Sequence, residues 1–109
     1  MGGTRAVKGY VLLFGAIVSE LVATTNLKLS EGFTKLVPSF FVVVGYGLAF
    51  YLLSQTLKYL PLGLTYAIWS GIGTLGAVLI SVFLFKDAMS ATQYVGAALV
   101  LAGVVLLNV

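Results

Sequence analysis

The chain has 109 residues, 61% of them hydrophobic and 8% charged, with a mean hydropathy of +1.13 and a formal net charge of +3. Soluble domains are about a quarter charged, so the composition excludes an ordinary soluble domain and indicates an integral membrane protein. With no Cys and no His, disulfides, thiolate or imidazole metal sites and histidine-assisted nucleophiles are excluded; no cofactor and no metal are expected, and the few scattered cations form no basic patch for nucleic acid.

In chain order, Met1 to Gly9 reads as a short polar lead. A first helix is expected over about Tyr10 to Leu27. Arg5 and Lys8 precede this apolar run, but Glu20 interrupts it and more apolar segments follow, so it reads as a retained span and not as a cleaved signal peptide. The stretch KLSEGFTKLVP is expected to be a loop, with Lys28, Glu31 and Lys35 in water and Gly32 and Pro38 as breakers. Between Lys35 and Lys58 lie 22 uncharged residues, which hold a second helix over about Ser39 to Thr56. Between Lys58 and Lys86 lie 27 more, which hold a third over about Leu62 to Phe85, its start marked by Leu60-Pro61-Leu62-Gly63. After a Lys86-Asp87 turn, a last uncharged run of 22 residues gives a fourth helix over about Thr92 to Leu107. A span needs about 20 apolar residues, so the expected fold class is an all-α, single-domain membrane protein of four transmembrane helices.

Four spans put both termini on one side of the bilayer. That side carries three cations, Arg5, Lys8 and Lys58, and the other also carries three, Lys28, Lys35 and Lys86. Orientation follows Lys/Arg bias, and here there is none. The expectation is dual topology: copies insert both ways and pair antiparallel.

The stretch Gly15 to Leu29, GAIVSELVATTNLKL, carries the functional signal. An ionisable side chain inside a membrane helix is costly and marks a functional site by default. Glu20 is the only acidic residue in an apolar run, and the other three expected spans contain no Lys or Arg to pair with it. Ala16, Ile17, Ala23 and Thr24 share its helix face, and they are mostly small, so a partner helix or a ligand can approach. Tyr46 and Phe50 share a face of the second helix, and Tyr66, Trp69, Ser70 and Gly73 a face of the third. Aromatic faces attract cations and Glu20 supplies countercharge, a combination suited to a lipophilic or aromatic cation. Gly71, Gly73 and Gly76 allow a bend or close packing in the third helix. Gly96 and Gly103, seven residues apart on the fourth, suit helix association.

The stretches AIVSELVATTNLKLSEGFTKLVPS and YGLAFYLLSQTLKYLPLGLTYAIWSGIG, with the Gly96 to Gly103 pattern ending GVVLLN, resemble the small multidrug resistance family of proton-coupled exporters across nearly the whole chain. The resemblance implies an antiparallel dimer of four-helix subunits in the bacterial inner membrane, exchanging protons for hydrophobic cations at a site shared by both glutamates. It makes Glu20 the proton- and substrate-binding carboxylate and Tyr46, Tyr66 and Trp69 the binding-site aromatics. Tyr10, Leu13, Ala16, Ile17, Thr24 and Phe50 match other chamber positions, Gly71 and Gly73 a conformational kink, and Gly96 and Gly103 the dimer contact. The guanidinium-exporting branch typically has Trp three residues after the glutamate. Here that position is Ala23, followed by Thr24 and Thr25, which resembles the quaternary-ammonium, multidrug branch. FYLLSQ and GTLGAV also look like the guanidinium branch, and Asn26 departs from the apolar residue expected there. The alternatives are therefore a guanidinium exporter, one subunit of a heterodimer with a related chain, and, from another class, a non-transporting interaction subunit. Balanced charge argues for a homodimer. An enzyme is not expected, because the Gly-x-Gly of the third helix lacks the strand-turn-helix context of a nucleotide site.

Overall fold

A computed structural model describes residues 3–107; Met1 and Gly2 of the lead, and Asn108 of the GVVLLN pattern, lie outside the described residues. The order is α1 (Gly3–Leu29), α2 (Leu36–Thr56), α3 (Leu62–Phe83) and α4 (Ala91–Leu107). Helices α1, α2 and α3 are long and apolar enough to cross a membrane. The 17 residues of α4 span about 25 Å at 1.5 Å each, near the lower limit for crossing.

The helix ends correct the expected ones, because polarity marks where a span leaves the apolar layer whereas hydrogen bonding marks where a helix stops. The 27 residues of α1 extend about 40 Å, roughly 10 Å more than the hydrocarbon core. The lead from Gly3 is therefore helical, and so are Lys28 and Leu29, which were expected in the loop. Ser30 turns the chain. It is fully buried, its Oγ donates to the Leu27 carbonyl at 2.7 Å and accepts from the Phe33 N–H at 3.1 Å. Glu31, Gly32 and Phe33 follow with φ of 50, 75 and 67°, three left-handed residues of which only Gly32 adopts that conformation without steric cost.

Helix α2 starts at Leu36, before the expected Ser39, because Pro38 lies in its first turn, where a missing N–H removes no helical bond. Helix α3 stops at Phe83, before the expected Phe85. The N–H groups of Leu84 and Phe85 both donate to the Ile80 carbonyl, at 2.9 and 3.2 Å, and Lys86 turns left-handed with φ of 58°. Helix α4 begins at Ala91 behind a capping box: the Ser90 N–H donates to Gln93 Oε1 at 2.8 Å, and the Gln93 N–H to Ser90 Oγ at 3.2 Å.

Helix α1 is the centre of the protomer, with α2 along one side, α3 along another, and α4 packed on α3. Leu13 and Ile17 of α1 meet Leu60, Ile68 and Val104 in the main apolar cluster. Small residues set the approach of the helices. A Cβ added to Gly45 of α2 would lie 2.8 Å from Ala23 Cβ and 3.2 Å from the Ser19 carbonyl oxygen, and one added to Gly71 of α3 would collide with Val104. The protomer measures 46 × 35 × 17 Å, a layer less than two helix diameters thick.

Arg5 and Lys8 gather near Lys58 at one end of the molecule, and Lys28 lies at the other. At one end Arg5 Nη2 donates to the Lys58 carbonyl at 3.0 Å, and Arg5 and Lys8 lie 4.9 and 5.4 Å from the centre of the Tyr59 ring. At the other, Lys28 pairs with Asp87 at 3.4 Å and lies 4.5 Å from the centre of the Phe85 ring. Lys28, although within α1, therefore belongs to the end that the charge count gave it.

Overpacking a tight interface costs about 1–3 kcal/mol, so Gly45→Val should lower the thermal unfolding midpoint in detergent. Gly47→Val, where an added Cβ meets nothing within 4 Å, should leave it unchanged.

Candidate functional site

Glu20 lies midway along α1, half-buried, on the face turned toward α3. One helical turn on, the Thr24 hydroxyl donates to Glu20 Oε2 at 2.7 Å, and Thr24 Oγ1 also lies 2.7 Å from the Tyr46 hydroxyl of α2. A threonine hydroxyl has one hydrogen. If Thr24 gives it to the carboxylate, Tyr46 must donate to Thr24. The result is a directed chain from Tyr46 through Thr24 to Glu20, in which each bond polarises the next. The close contact of Ala23 with Gly45 brings the two helices near enough to form it. The ion pairs among the described residues, Lys28–Asp87 and Lys35–Glu31, leave Glu20 aside, so hydroxyls and not a cation hold it.

A cavity of about 460 Å³ opens in front of the carboxylate, within the usual range for a small-molecule site. Its floor is Glu20 and Thr24 of α1. Phe50 and Leu53 of α2 form one wall, and Tyr66, Trp69, Ser70, Gly73, Thr74 and Ala77 of α3 form the other. Gly73 keeps that wall low beside the acid, since a Cβ there would lie 3.5 Å from Glu20 Oε1. The rings form a run: Tyr46 stacks with Phe50 at 6.4 Å between centroids, and Phe50 meets Trp69 at 5.7 Å. Tyr66 and Phe50 are 65 and 60% exposed, so their faces are available to a guest. One anionic group beside several aromatic faces can hold a cation that is itself partly apolar.

The structure brings seven of the residues singled out in the sequence to this cavity: Glu20, Thr24, Phe50, Tyr66, Trp69, Ser70 and Gly73. Tyr46 stands behind Thr24 and reaches the acid through it. Leu13, Ala16 and Ile17 are packed inside the protomer, at 2, 0 and 5% exposure, and Tyr10 lies toward the other end of α1, more than two turns from Glu20. Gly71 takes up the contact with Val104 in an unbroken α3, while Gly96 and Gly103 have nothing within 4 Å of an added Cβ. Leu53, Thr74 and Ala77 were missed. Each continues a marked face by one turn, Leu53 from Phe50, Thr74 from Ser70 and Ala77 from Gly73, so extending the helical spacing would have found them.

Asp87 lies beyond α3, outside the spans, and Ser81 Oγ in the last turn of α3 donates to its Oδ2 at 2.6 Å. That bond first, and the Lys28 ammonium next, hold the Asp87 carboxyl below its usual value of 3.8, against some desolvation.

The profile of a family described as Small Multidrug Resistance protein matches residues 8–100. The quaternary ammonium compound-resistance protein QacE of Escherichia coli is 50% identical over 101 residues, 93% of this chain and 92% of that protein. The multidrug resistance protein EbrA of Bacillus subtilis (strain 168) is 51% identical over 100 residues, covering 92 and 95%. The quaternary ammonium compound-resistance protein QacG of Staphylococcus sp. (strain ST94) is 45% identical, covering 92 and 94%.

A carboxyl depressed in the fold contributes stability above its unfolded value and loses it as pH falls through the folded one. The solubilised protein should therefore hold the Asp87 contribution from neutrality down to about pH 4 and lose it below. Asp87→Asn should flatten that acid limb of the melting-temperature profile.

Proposed function

The chain belongs to the small multidrug resistance family, and on that premise we propose that it exports lipophilic or aromatic quaternary ammonium cations in exchange for protons, with Glu20 binding each in turn. Membership makes it a multi-pass transporter of the bacterial cell membrane, a multidrug exporter and not an enzyme. The observation that carries the finer reading is a carboxylate inside a span, held by hydroxyls and open to an aromatic cavity. With no cation paired to it among the described residues, Glu20 is left to a proton or to a guest.

Protons and guest compete for the same carboxylate. Protonation from outside displaces the cation, and the proton gradient drives its export. The working unit is an antiparallel homodimer whose two copies adopt different conformations and exchange them, each arrangement opening the shared site to one side. The three-against-three division of cations between the ends supports insertion both ways. The bare Gly96 and Gly103 support a helix contact made by α4 with a second copy.

The guanidinium reading is weakened by packing. The position that carries Trp in that branch is Ala23, fully buried and set against Gly45. An indole there would force α1 and α2 apart.

Liposomes containing only this chain should accumulate a quaternary aromatic cation against its gradient when a pH gradient is imposed, and should prefer it to guanidinium. Glu20→Gln should reduce this to the level of empty liposomes. A preference for guanidinium, or proton-driven accumulation by Glu20→Gln, would overturn the reading. Activity appearing only after a second, related chain is added would replace the homodimer with a heterodimer.

A further inference from the structure

The chain has six Lys and Arg residues but only three acidic side chains, and these are unevenly placed. Asp87 pairs with Lys28 and Glu31 with Lys35, both at the C-terminal end of α1. Glu20, the third, is about 18 Å along α1 from Lys8. No acidic side chain is left for Arg5, Lys8 and Lys58. These three are nevertheless drawn together. Arg5 Nη2 donates to the Lys58 carbonyl at 3.0 Å, and the Arg5 guanidinium and the Lys8 ammonium lie 4.9 and 5.4 Å from the centre of one ring, Tyr59. Gly9 sets the approach. A Cβ there would lie 2.8 Å from Leu60 Cγ and 3.0 Å from Tyr59 Cβ, so the turn between α2 and α3 is packed down on α1 with Leu60 buried beneath it. Two like charges gathered at one ring repel, and an exposed ring offers each only about 0.5–1 kcal/mol. An anion relieves that repulsion.

We propose that Arg5, Lys8 and Lys58, gathered at the Tyr59 ring, bind the phosphate of an anionic phospholipid of the phosphatidylglycerol class. The level in the membrane fits. Lys8 and Lys28 are about 30 Å apart along α1, the thickness of the hydrocarbon core, so each stands at one headgroup layer. Tyrosine is enriched at that level. The chemistry fits as well. Arg5 gives one of its five N–H donors to the Lys58 carbonyl, and a guanidinium fork and an ammonium are the two usual phosphate ligands. Val11, one turn inward from Lys8 and exposed, offers apolar surface to an acyl chain. Phosphatidylcholine presents the same phosphate, but its quaternary ammonium group is repelled by the three cations. Headgroup charge, and not phosphate alone, therefore selects the lipid. At the other end Asp87 and Glu31 answer Lys28 and Lys35, and no comparable site forms around that pair of lysines.

The test titrates the solubilised full-length protein, in a neutral maltoside detergent, with each lipid and counts bound lipid by native mass spectrometry. The wild type should bind phosphatidylglycerol about tenfold more tightly than phosphatidylcholine. Lys8→Gln should weaken phosphatidylglycerol binding about fivefold, equivalent to about 1 kcal/mol for one cation at a headgroup, and Lys8→Arg should retain it. Lys35→Gln makes the same change in net charge at the other end and should leave binding unchanged. Equal losses in Lys8→Gln and Lys35→Gln would reveal a diffuse response to net charge and overturn the site, as would equal binding of the two lipids by the wild type. Inorganic phosphate in excess should not displace the lipid; displacement would assign the site to free phosphate and overturn the lipid reading. If Lys8→Gln does not fold, Lys58→Gln decides: a similar fivefold loss supports the site, and unchanged binding overturns it.

Discussion

The close approach of α1 and α2 at Ala23 and Gly45 is the contact on which the site depends. In a bilayer core, lipid tails are as apolar as the side chains, so helices gain little from hydrophobic burial and associate through fit and hydrogen bonds. Glycine against alanine permits the fit. It places Tyr46 within reach of Thr24, and Thr24 is already one turn from Glu20. The carboxylate is then held without a cation, although removal from water without any partner would be costly. A larger residue at either position would move α2 outward and break the chain of hydroxyls at the Tyr46–Thr24 bond.

The arrangement of the other helices follows from α1 serving both neighbours. Helices α2 and α3 each lean on α1 and leave between them the cavity that Glu20 faces. Glycine works differently at two places on α3. At Gly73 the missing side chain leaves the acid accessible, whereas at Gly71 it admits Val104 of α4. The protomer is a layer 17 Å thick with large apolar side chains such as Phe40, Phe83 and Leu106 pointing outward. Such a layer suits contact with lipid on one side and, in the proposed assembly, a second copy on the other.

The spans and Glu20 were legible because both rest on strong local signals: long uncharged runs, and one carboxylate within them. The aromatic positions were legible through helical spacing, as Tyr46 with Phe50 and Tyr66 with Trp69 show. Helix ends were less so, because Thr4, Arg5 and Lys8 are polar yet lie in α1, and Pro38 sits in the first turn of α2 where it was expected to break the chain. The start of α4 was available in Ser90-Ala91-Thr92-Gln93, a capping box that a hydropathy reading passes over. What one-dimensional pattern could not supply is which face of α1 meets which neighbour. Leu13, Ala16 and Ile17 share the helix with Glu20, yet they are enclosed by packing.

In the proposed antiparallel assembly, the matched ends would leave orientation poised on single residues. Arg5 and Lys8 gather around Tyr59 near Lys58, and Lys28 sits at Phe85 and Asp87. Moving one lysine between the ends turns three against three into four against two, and such a bias is what fixes insertion. A duplicated gene would need only one such exchange in each copy, in opposite senses, to become two specialised halves.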